Sequence, residues 1–79
     1  MRKETKVLLE RIEIDAKRHI NPFCEVEPDQ ITGKRFAIVY KNSDGDIVHR
    51  YTQYYTPKLL YIAVSNYING LWDILKIKQ

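Results

Sequence analysis

The sequence is poor in cysteines, which form disulfides, and lacks a long apolar segment of the kind that crosses a membrane. Its 79 residues include one cysteine, Cys24, so an intramolecular disulfide is excluded and a reducing compartment is expected. No run of about 18 apolar residues occurs, because residues such as Ser65 and Asp73 interrupt the most apolar stretch. The charged N-terminus lacks the apolar segment and small-residue cleavage site of a secretion signal. We therefore expect a cytoplasmic protein with no membrane contact.

Histidine and cysteine, the usual soft metal ligands, are also scarce. His19, Cys24 and His49 occur singly, without the short paired spacings of a zinc site. A nucleophilic cysteine needs a neighbouring base, a third residue that orients the base, and donors for the developing oxyanion. The sequence indicates no such set around Cys24. We expect a protein that is not an enzyme and needs no cofactor.

Two acidic stretches resemble cation sites in part. Asn42-Ser43-Asp44-Gly45-Asp46 is similar to a calcium loop, but alignment on Gly45 puts tyrosines at the first and twelfth ligand positions, which predicts a turn instead. Glu25, Glu27 and Asp29 alternate along one side of a strand. Three such carboxylates can hold a divalent ion, or they can protect a strand edge from pairing. The protected edge is the preferred interpretation, so we expect no metal site.

Length and composition predict one small domain spanning residues 1–79. Hydrophobic residues make up 44% and charged residues 29%, which is typical of a globular chain and not of a disordered one. A chain this short forms only a marginal core and has little room for a deep cleft. The net charge of +3 and the pI near 9.1 are mild beside the basic patches of dedicated nucleic-acid binders.

The N-terminal segment has helical periodicity from Thr5 to about His19. Its apolar residues recur every four positions at Leu8, Ile12 and Ala16. Thr5 is a candidate N-cap, and Asn21-Pro22 ends the helix because the residue before proline avoids helical geometry.

Three stretches that alternate or carry β-branched and aromatic residues come after the first helix. Phe23 to Asp29 is typical of an edge strand. Arg35 to Lys41 is apolar on both faces and should be the central strand. A turn at residues 42–46, where Asp44-Gly45 supplies positive φ, leads into a return strand from Ile47 to Tyr54.

The last quarter of the chain predicts one long apolar helix from Leu59 to Leu75. Thr56 is its candidate N-cap, and Pro57 occupies the first helical position. Its apolar stripe consists of Leu60, Val64, Tyr67, Ile68, Leu71 and Leu75. Asn69-Gly70 is a possible early end of this helix, and a last short helix or an extra strand would then come after it. The predicted fold class is α+β: a helix, a three-stranded antiparallel sheet and a C-terminal helix, with both helices on one face.

Excess apolar surface on the C-terminal helix supports the leading hypothesis. We expect a small, non-enzymatic interaction or regulatory protein, homodimeric through this helix and able to dock an unidentified protein. The candidate interface residues are Leu59, Tyr61, Ile62 and Trp72, because apolar and aromatic residues on one helix face are typical of binding hot spots. A core role for the same residues is the alternative.

Basic residues among tyrosines support a second hypothesis, a nucleic-acid-binding accessory module for duplex RNA or DNA. The candidate residues are Lys34, Arg35, Arg50 and Lys58, with Tyr51, Tyr54 and Tyr55 nearby. Lysine and arginine pair with phosphates, and bases stack on tyrosine rings. The competing interpretation makes the tyrosines half-buried cross-strand partners and the cations ordinary surface residues. Compact size and mild basicity would suit an accessory protein of a phage or plasmid.

The order of elements resembles the double-stranded-RNA-binding domain, over most of the chain. Glu27-Pro28-Asp29-Gln30, followed by Gly33-Lys34-Arg35-Phe36, is similar to that family's Gly-Pro-x-His loop and the aromatic strand after it. The resemblance implies RNA contacts from the first helix, from this loop and from the start of the second helix. The chain departs from the family at Glu27 and Gln30, and only Lys58 remains of the helix-start lysine cluster. Degenerate members of the family act as protein-interaction or dimerisation modules.

Overall fold

The computed structural model describes residues 2–70 of the chain. The helices and strands occur in the order α1 (Lys3–His19), β1 (Cys24–Pro28), β2 (Phe36–Lys41), β3 (Ile47–Arg50) and α2 (Pro57–Ile68). The three strands form one antiparallel sheet in the order β1-β2-β3, and α1 and α2 pack together on one face of it. The predicted fold class is confirmed, with β2 as the central strand.

The core lies between the two helices and the inner face of the sheet. It is formed by Leu9, Ile12, Ala16, Cys24, Phe36, Ile38, Leu60 and Val64. The strand members share one face because successive side chains of a strand alternate between faces. Ile12, Ile38 and Leu60 are completely buried, and each such side chain contributes about 1.5–3 kcal/mol of transfer free energy.

The outer face of β2 is also buried, although neither α1 nor α2 covers it. Ala37 and Val39 are fully inaccessible there. Their direct cross-strand neighbours are Glu25, Glu27 and Arg50, which lie on the same face. Glu27 forms an ion pair with Lys41, and that hydrogen bond raises the pKa of Lys41 above its ordinary value. Polar side chains therefore cover the outer face of β2.

The first helix begins two residues earlier than expected. It starts at Lys3, with Arg2 at the N-cap position and no capping side chain, so the prediction of Thr5 as N-cap is wrong. Lys3 and Glu4 are good helix formers, and the Lys6 N–H already donates to the Arg2 carbonyl at 3.0 Å. The predicted end of the helix at His19 is confirmed.

The third strand is shorter than predicted and ends at Arg50 instead of Tyr54. Beyond it, the Ile38 N–H donates to the hydroxyl of Thr52 at 3.1 Å, so a side chain replaces the backbone acceptor of a ladder. The chain then bulges away and returns at Tyr55, which exchanges two backbone hydrogen bonds with Phe36, of 2.7 and 2.8 Å. Strands β1 and β2 match their predicted bounds to within one residue.

The second helix begins as predicted, with Thr56 at the N-cap position and Pro57 in its first turn, but Thr56 makes no capping hydrogen bond. It ends at Ile68, because Gly70 adopts a φ of 77°, a left-handed conformation typical of a helix C-terminus. The prediction of one helix to Leu75 is wrong, and the alternative end at Asn69-Gly70 is confirmed. The predicted last short helix or extra strand after Gly70 lies outside the described residues. Within residues 2–70, neither helix has the length and apolarity needed to cross a bilayer.

Candidate functional site

Three segments that are distant in sequence meet at one end of the fold. They are the start of α1 (residues 2–6), the loop between β1 and β2 (residues 29–35) and the start of α2 (residues 56–58), and we call them together the helix-start end. A cleft of about 590 Å³ touches all three segments, because Arg2, Lys34 and Pro57 line it. A second cleft, of about 280 Å³, lies between the two helix starts.

The helix-start end carries most of the positive charge of the described residues. Its six cations are Arg2, Lys3, Lys6, Lys34, Arg35 and Lys58, and its carboxylates are Glu4 and Asp29, which gives a net charge of +4. The remaining residues between 2 and 70 have five lysines and arginines against seven carboxylates, a net charge of −2. The modest total charge of the chain thus hides a positive end and a negative remainder.

Two helix N-termini add to the positive potential of this end. The first N–H groups of a helix have no partner within it, and the aligned peptide dipoles place partial positive charge there. Neither N-cap residue, Arg2 or Thr56, satisfies these groups with its side chain. The first turn of α2 also contains no acidic residue. Free N–H groups and helix dipoles favour anions at both helix starts.

The loop between β1 and β2 is organised by one carboxylate, that of Asp29. It accepts hydrogen bonds from the N–H groups of Ile31, Thr32, Gly33 and Arg35, and from the Thr32 hydroxyl, at 2.6–3.3 Å. The two hydrogen bonds from Thr32, followed by those from Gly33 and Ile31, lower the pKa of Asp29 to about 2. The negative charge is therefore directed into the loop, which leaves its lysine and arginine on the outside.

The structure brings together three of the four predicted nucleic-acid-binding residues. Lys34, Arg35 and Lys58 belong to the helix-start end, and all three are exposed. Arg50 is separate: it lies opposite Val39 on β3, with its guanidinium 5.2 Å from the centre of the Tyr54 ring. Arg2, which sequence reasoning missed, lines the larger cleft. The signal that the sequence offered for Arg2 was its position close to the start of the first helix.

The tyrosines do not form a stacking platform beside these cations. Tyr51 packs edge-to-face against His49 and Tyr67, and burial raises its pKa. Tyr55 pairs with β2 through its backbone. Both tyrosines match the competing interpretation, in which they are cross-strand partners. The Tyr54 ring contacts the guanidinium of Arg50, which lies away from the helix-start end.

The predicted interface residues of α2 lie at the surface. Leu59, Tyr61 and Ile62 are 40%, 39% and 46% exposed. At about 100° per residue, Leu59 and Ile62 fall within about 60° of each other, whereas Tyr61 lies on the opposite flank. Lys58 separates the two flanks, so these residues do not form one continuous patch. Trp72, the fourth predicted interface residue, lies outside the described residues.

Two of the residues considered for metal or thiol chemistry, Asn42 and Cys24, have structural roles. In the 42–46 turn, the Asn42 side-chain oxygen accepts N–H groups of Asp44 and Asp46, each at 3.0 Å, which confirms the predicted turn. Between residues 2 and 70, no three acidic, histidine or cysteine side chains are grouped closely enough to hold a metal ion. Cys24 is completely buried, and that burial raises the pKa of its thiol, which disfavours the reactive thiolate.

Compared with models of protein families, with curated proteins and with solved structures, the chain matches none of them. The resemblance to the double-stranded-RNA-binding domain therefore stays a prediction, and function has to be argued from the geometry.

Proposed function

We propose that this protein binds nucleic acid through the helix-start end. One observation carries the proposal: the fold gathers six cations and two uncapped helix starts from three separate segments, while the rest of the described chain is net negative. Phosphates are the anions that such an arrangement suits, because lysine, arginine and helix N-termini all contact phosphate oxygens.

The shape of this end supports an extended ligand in preference to a single small anion. Arg2 and Lys34 line the larger cleft, and Lys58 lines the smaller cleft that adjoins it, so cations from three segments can contact successive phosphates. These regions are also the three that the resemblance to the double-stranded-RNA-binding domain assigns to RNA contact. The proposed binding is to the backbone and independent of base sequence.

The test is a titration of labelled duplex RNA, duplex DNA and single strands at 50 and 200 mM salt. Three or four phosphate contacts give a slope near −3 for log K against log salt, or about 60-fold weaker binding at the higher concentration. Lys34→Glu and Lys58→Glu should each weaken binding about tenfold for all sequences alike.

Arg18→Glu is the matched control, since it makes the same charge reversal on an exposed residue in the last turn of α1. Equal weakening by Arg18→Glu and Lys34→Glu would show only a general effect of net charge and would contradict the proposed surface. Binding that does not change with salt would also contradict it.

The exposed side of α2 favours a second candidate function, a non-enzymatic interaction protein that docks onto another protein. Leu59 and Ile62 form its apolar part, since both are at least 40% exposed and share one flank of the helix. Docking of a second copy at this flank, as the sequence predicts, stays a prediction. A disulfide between two copies of an Ile62→Cys variant would report it directly.

A further inference from the structure

One apolar side chain in the loop between β1 and β2 is almost completely exposed. Ile31 is 95% exposed, whereas the other exposed large apolar residues of the described chain reach 66% at most. Its neighbours from Gln30 to Arg35 are exposed as well. Single exposed apolar residues are common on protein surfaces, so exposure alone indicates no site. The surroundings of Ile31 therefore decide what its exposure means.

The backbone that carries Ile31 is fixed by hydrogen bonds. The Ile31 N–H donates to the Asp29 carboxylate at 2.9 Å. The same carboxylate accepts the N–H groups of Thr32, Gly33 and Arg35. Gly33 has a φ of 67°, a left-handed conformation that glycine adopts without strain, and its N–H also donates to the Asp29 carbonyl at 3.2 Å. An apolar side chain on a backbone ordered in this way can enter a ligand without a further loss of backbone freedom.

The charges around this turn indicate what the ligand must offer. Lys34 and Arg35 belong to the same hydrogen-bonded loop, and Arg2 lines the larger cleft together with Lys34. The carboxylate of the loop is directed at the loop's own N–H groups. A matching ligand therefore combines negative charge on its outside with apolar surface inside. A nucleic-acid duplex has this combination, because its phosphates lie outside and its stacked base faces lie inside.

We propose that Ile31 is an apolar wedge that enters a base step of duplex DNA from the minor groove, while Lys34 and Arg35 contact the flanking phosphates. This inference rests on the proposed function and adds the class of nucleic acid and the shape that it takes when bound. Proteins that bind the DNA minor groove often insert isoleucine, leucine or phenylalanine between base pairs, which partly unstacks them and kinks the duplex by about 20–90°.

Two properties of nucleic acids refine the choice of ligand. Duplex RNA suits Ile31 less well, because its minor groove displays 2′-hydroxyl groups that an isoleucine cannot hydrogen-bond. Within DNA, the steps that unstack easily are TA and CA/TG, so these should be modestly preferred points of entry. Such a preference comes from the deformability of the duplex and needs no contact with base edges.

Fluorescence on a duplex of about 25 base pairs tests the wedge, since a duplex this short is nearly straight when free. Energy transfer between dyes at its two ends reports the bend, and 2-aminopurine at a central TA step brightens when that step is unstacked. The wild-type protein should shorten the end-to-end distance and raise the 2-aminopurine signal. Ile31→Ala should abolish both changes but leave the slope of log K against log salt as it is, because no phosphate contact is removed.

Two further variants control for side-chain volume and for a general loss of apolar surface. Ile31→Leu keeps a branched apolar side chain and should keep both signals. Phe23→Ala removes a large apolar side chain that is 66% exposed and lies before β1, at the end of that strand away from the loop, and it should change neither signal. Circular dichroism checks that each variant is folded, which substitution of so exposed a residue as Ile31 should not affect.

The outcomes separate the wedge from the proposed function. Salt-dependent binding to DNA that stays straight would overturn the wedge and leave the helix-start end as a nucleic-acid surface. A bend that Ile31→Ala preserves would do the same. Tighter binding to duplex RNA than to duplex DNA of the same sequence would also contradict the wedge in DNA. An absence of salt-dependent binding by the wild-type protein would overturn both proposals.

Discussion

The central strand β2 pairs with β1 along one edge and with β3 along the other, and these two sides of the strand are built in different ways. On one side, β1 pairs with it over five consecutive residue pairs, and α1 covers the pair with fully buried side chains such as Ile12. On the other side, β3 pairs over only three positions with a register shift, and the Thr52 hydroxyl takes over where the ladder stops. No helix within the described residues shields Ile47 and Val48.

This difference separates two sources of stability around one strand. The β1 side depends on burial, which increases with apolar area and is spread over many side chains. The β3 side depends on a few hydrogen bonds, and these are costly to lose only where the donor is shielded from water. Substitutions on the two sides should therefore differ in size and in kind.

The largest expected effect is Ile12→Ala on the covered side. Removing a fully buried isoleucine side chain leaves a cavity and should lower the free energy of unfolding by about 2–5 kcal/mol. Ile47→Ala makes the same chemical change on the open side, where 45% of the residue is already exposed, and should cost less than about 1 kcal/mol in the monomer. Urea denaturation at low protein concentration measures both, and equal losses would contradict the contrast.

A smaller effect is expected from Thr52→Val on the open side. This variant keeps the shape of the side chain but leaves the N–H of Ile38 without its acceptor, in a place where Thr52 is only 4% exposed. A buried donor without a partner costs about 1–3 kcal/mol. Thr52→Ser keeps the hydroxyl and should lose less. If Thr52→Ser were destabilised more than Thr52→Val, the packing of the methyl group would matter more than the hydrogen bond.

Much of the fold could be predicted because its signals are local. The apolar period of α1, the proline at the start of α2 and the Asp44-Gly45 turn each specify a backbone conformation within a few residues. The early end of β3 could not be predicted, because residues 51–54 have high strand propensity and only the position of Thr52 beside Ile38 diverts the chain. That contact joins residues 14 apart in sequence.

The candidate site was predicted only in part, for the same reason. Lys34, Arg35 and Lys58 were selected as cations, but a sequence does not show which cations become neighbours. The net charge of +3 gave no indication of a +4 end, since carboxylates elsewhere offset it in the sum. Arg50 was grouped with these three residues only because it is also a cation, whereas the fold places it on β3, over the ring of Tyr54.

The smallest expected effect compares the two loops that join β2 to its neighbours. Each is organised by one side chain, Asp29 before β2 and Asn42 after it, but only the carboxylate titrates. The pKa of Asp29 is about 2, below the ordinary value of 3.8, so its contribution to stability is complete above about pH 4. That contribution should disappear as the pH falls through about 2.

Nuclear magnetic resonance can follow both loops through an acid titration. The amide signals of Ile31 and Thr32 should shift together with a midpoint near pH 2. The amides of Asp44 and Asp46 donate to the side-chain oxygen of Asn42, which does not titrate, so their signals should not report the titration of a hydrogen-bond acceptor. Asp29→Asn removes the ionisable group and should abolish the pH dependence of the 29–35 loop only. A midpoint for Asp29 near 3.8 would mean that its five hydrogen bonds do not persist in solution, and the rigid presentation of Lys34 at the helix-start end would then lose its structural basis.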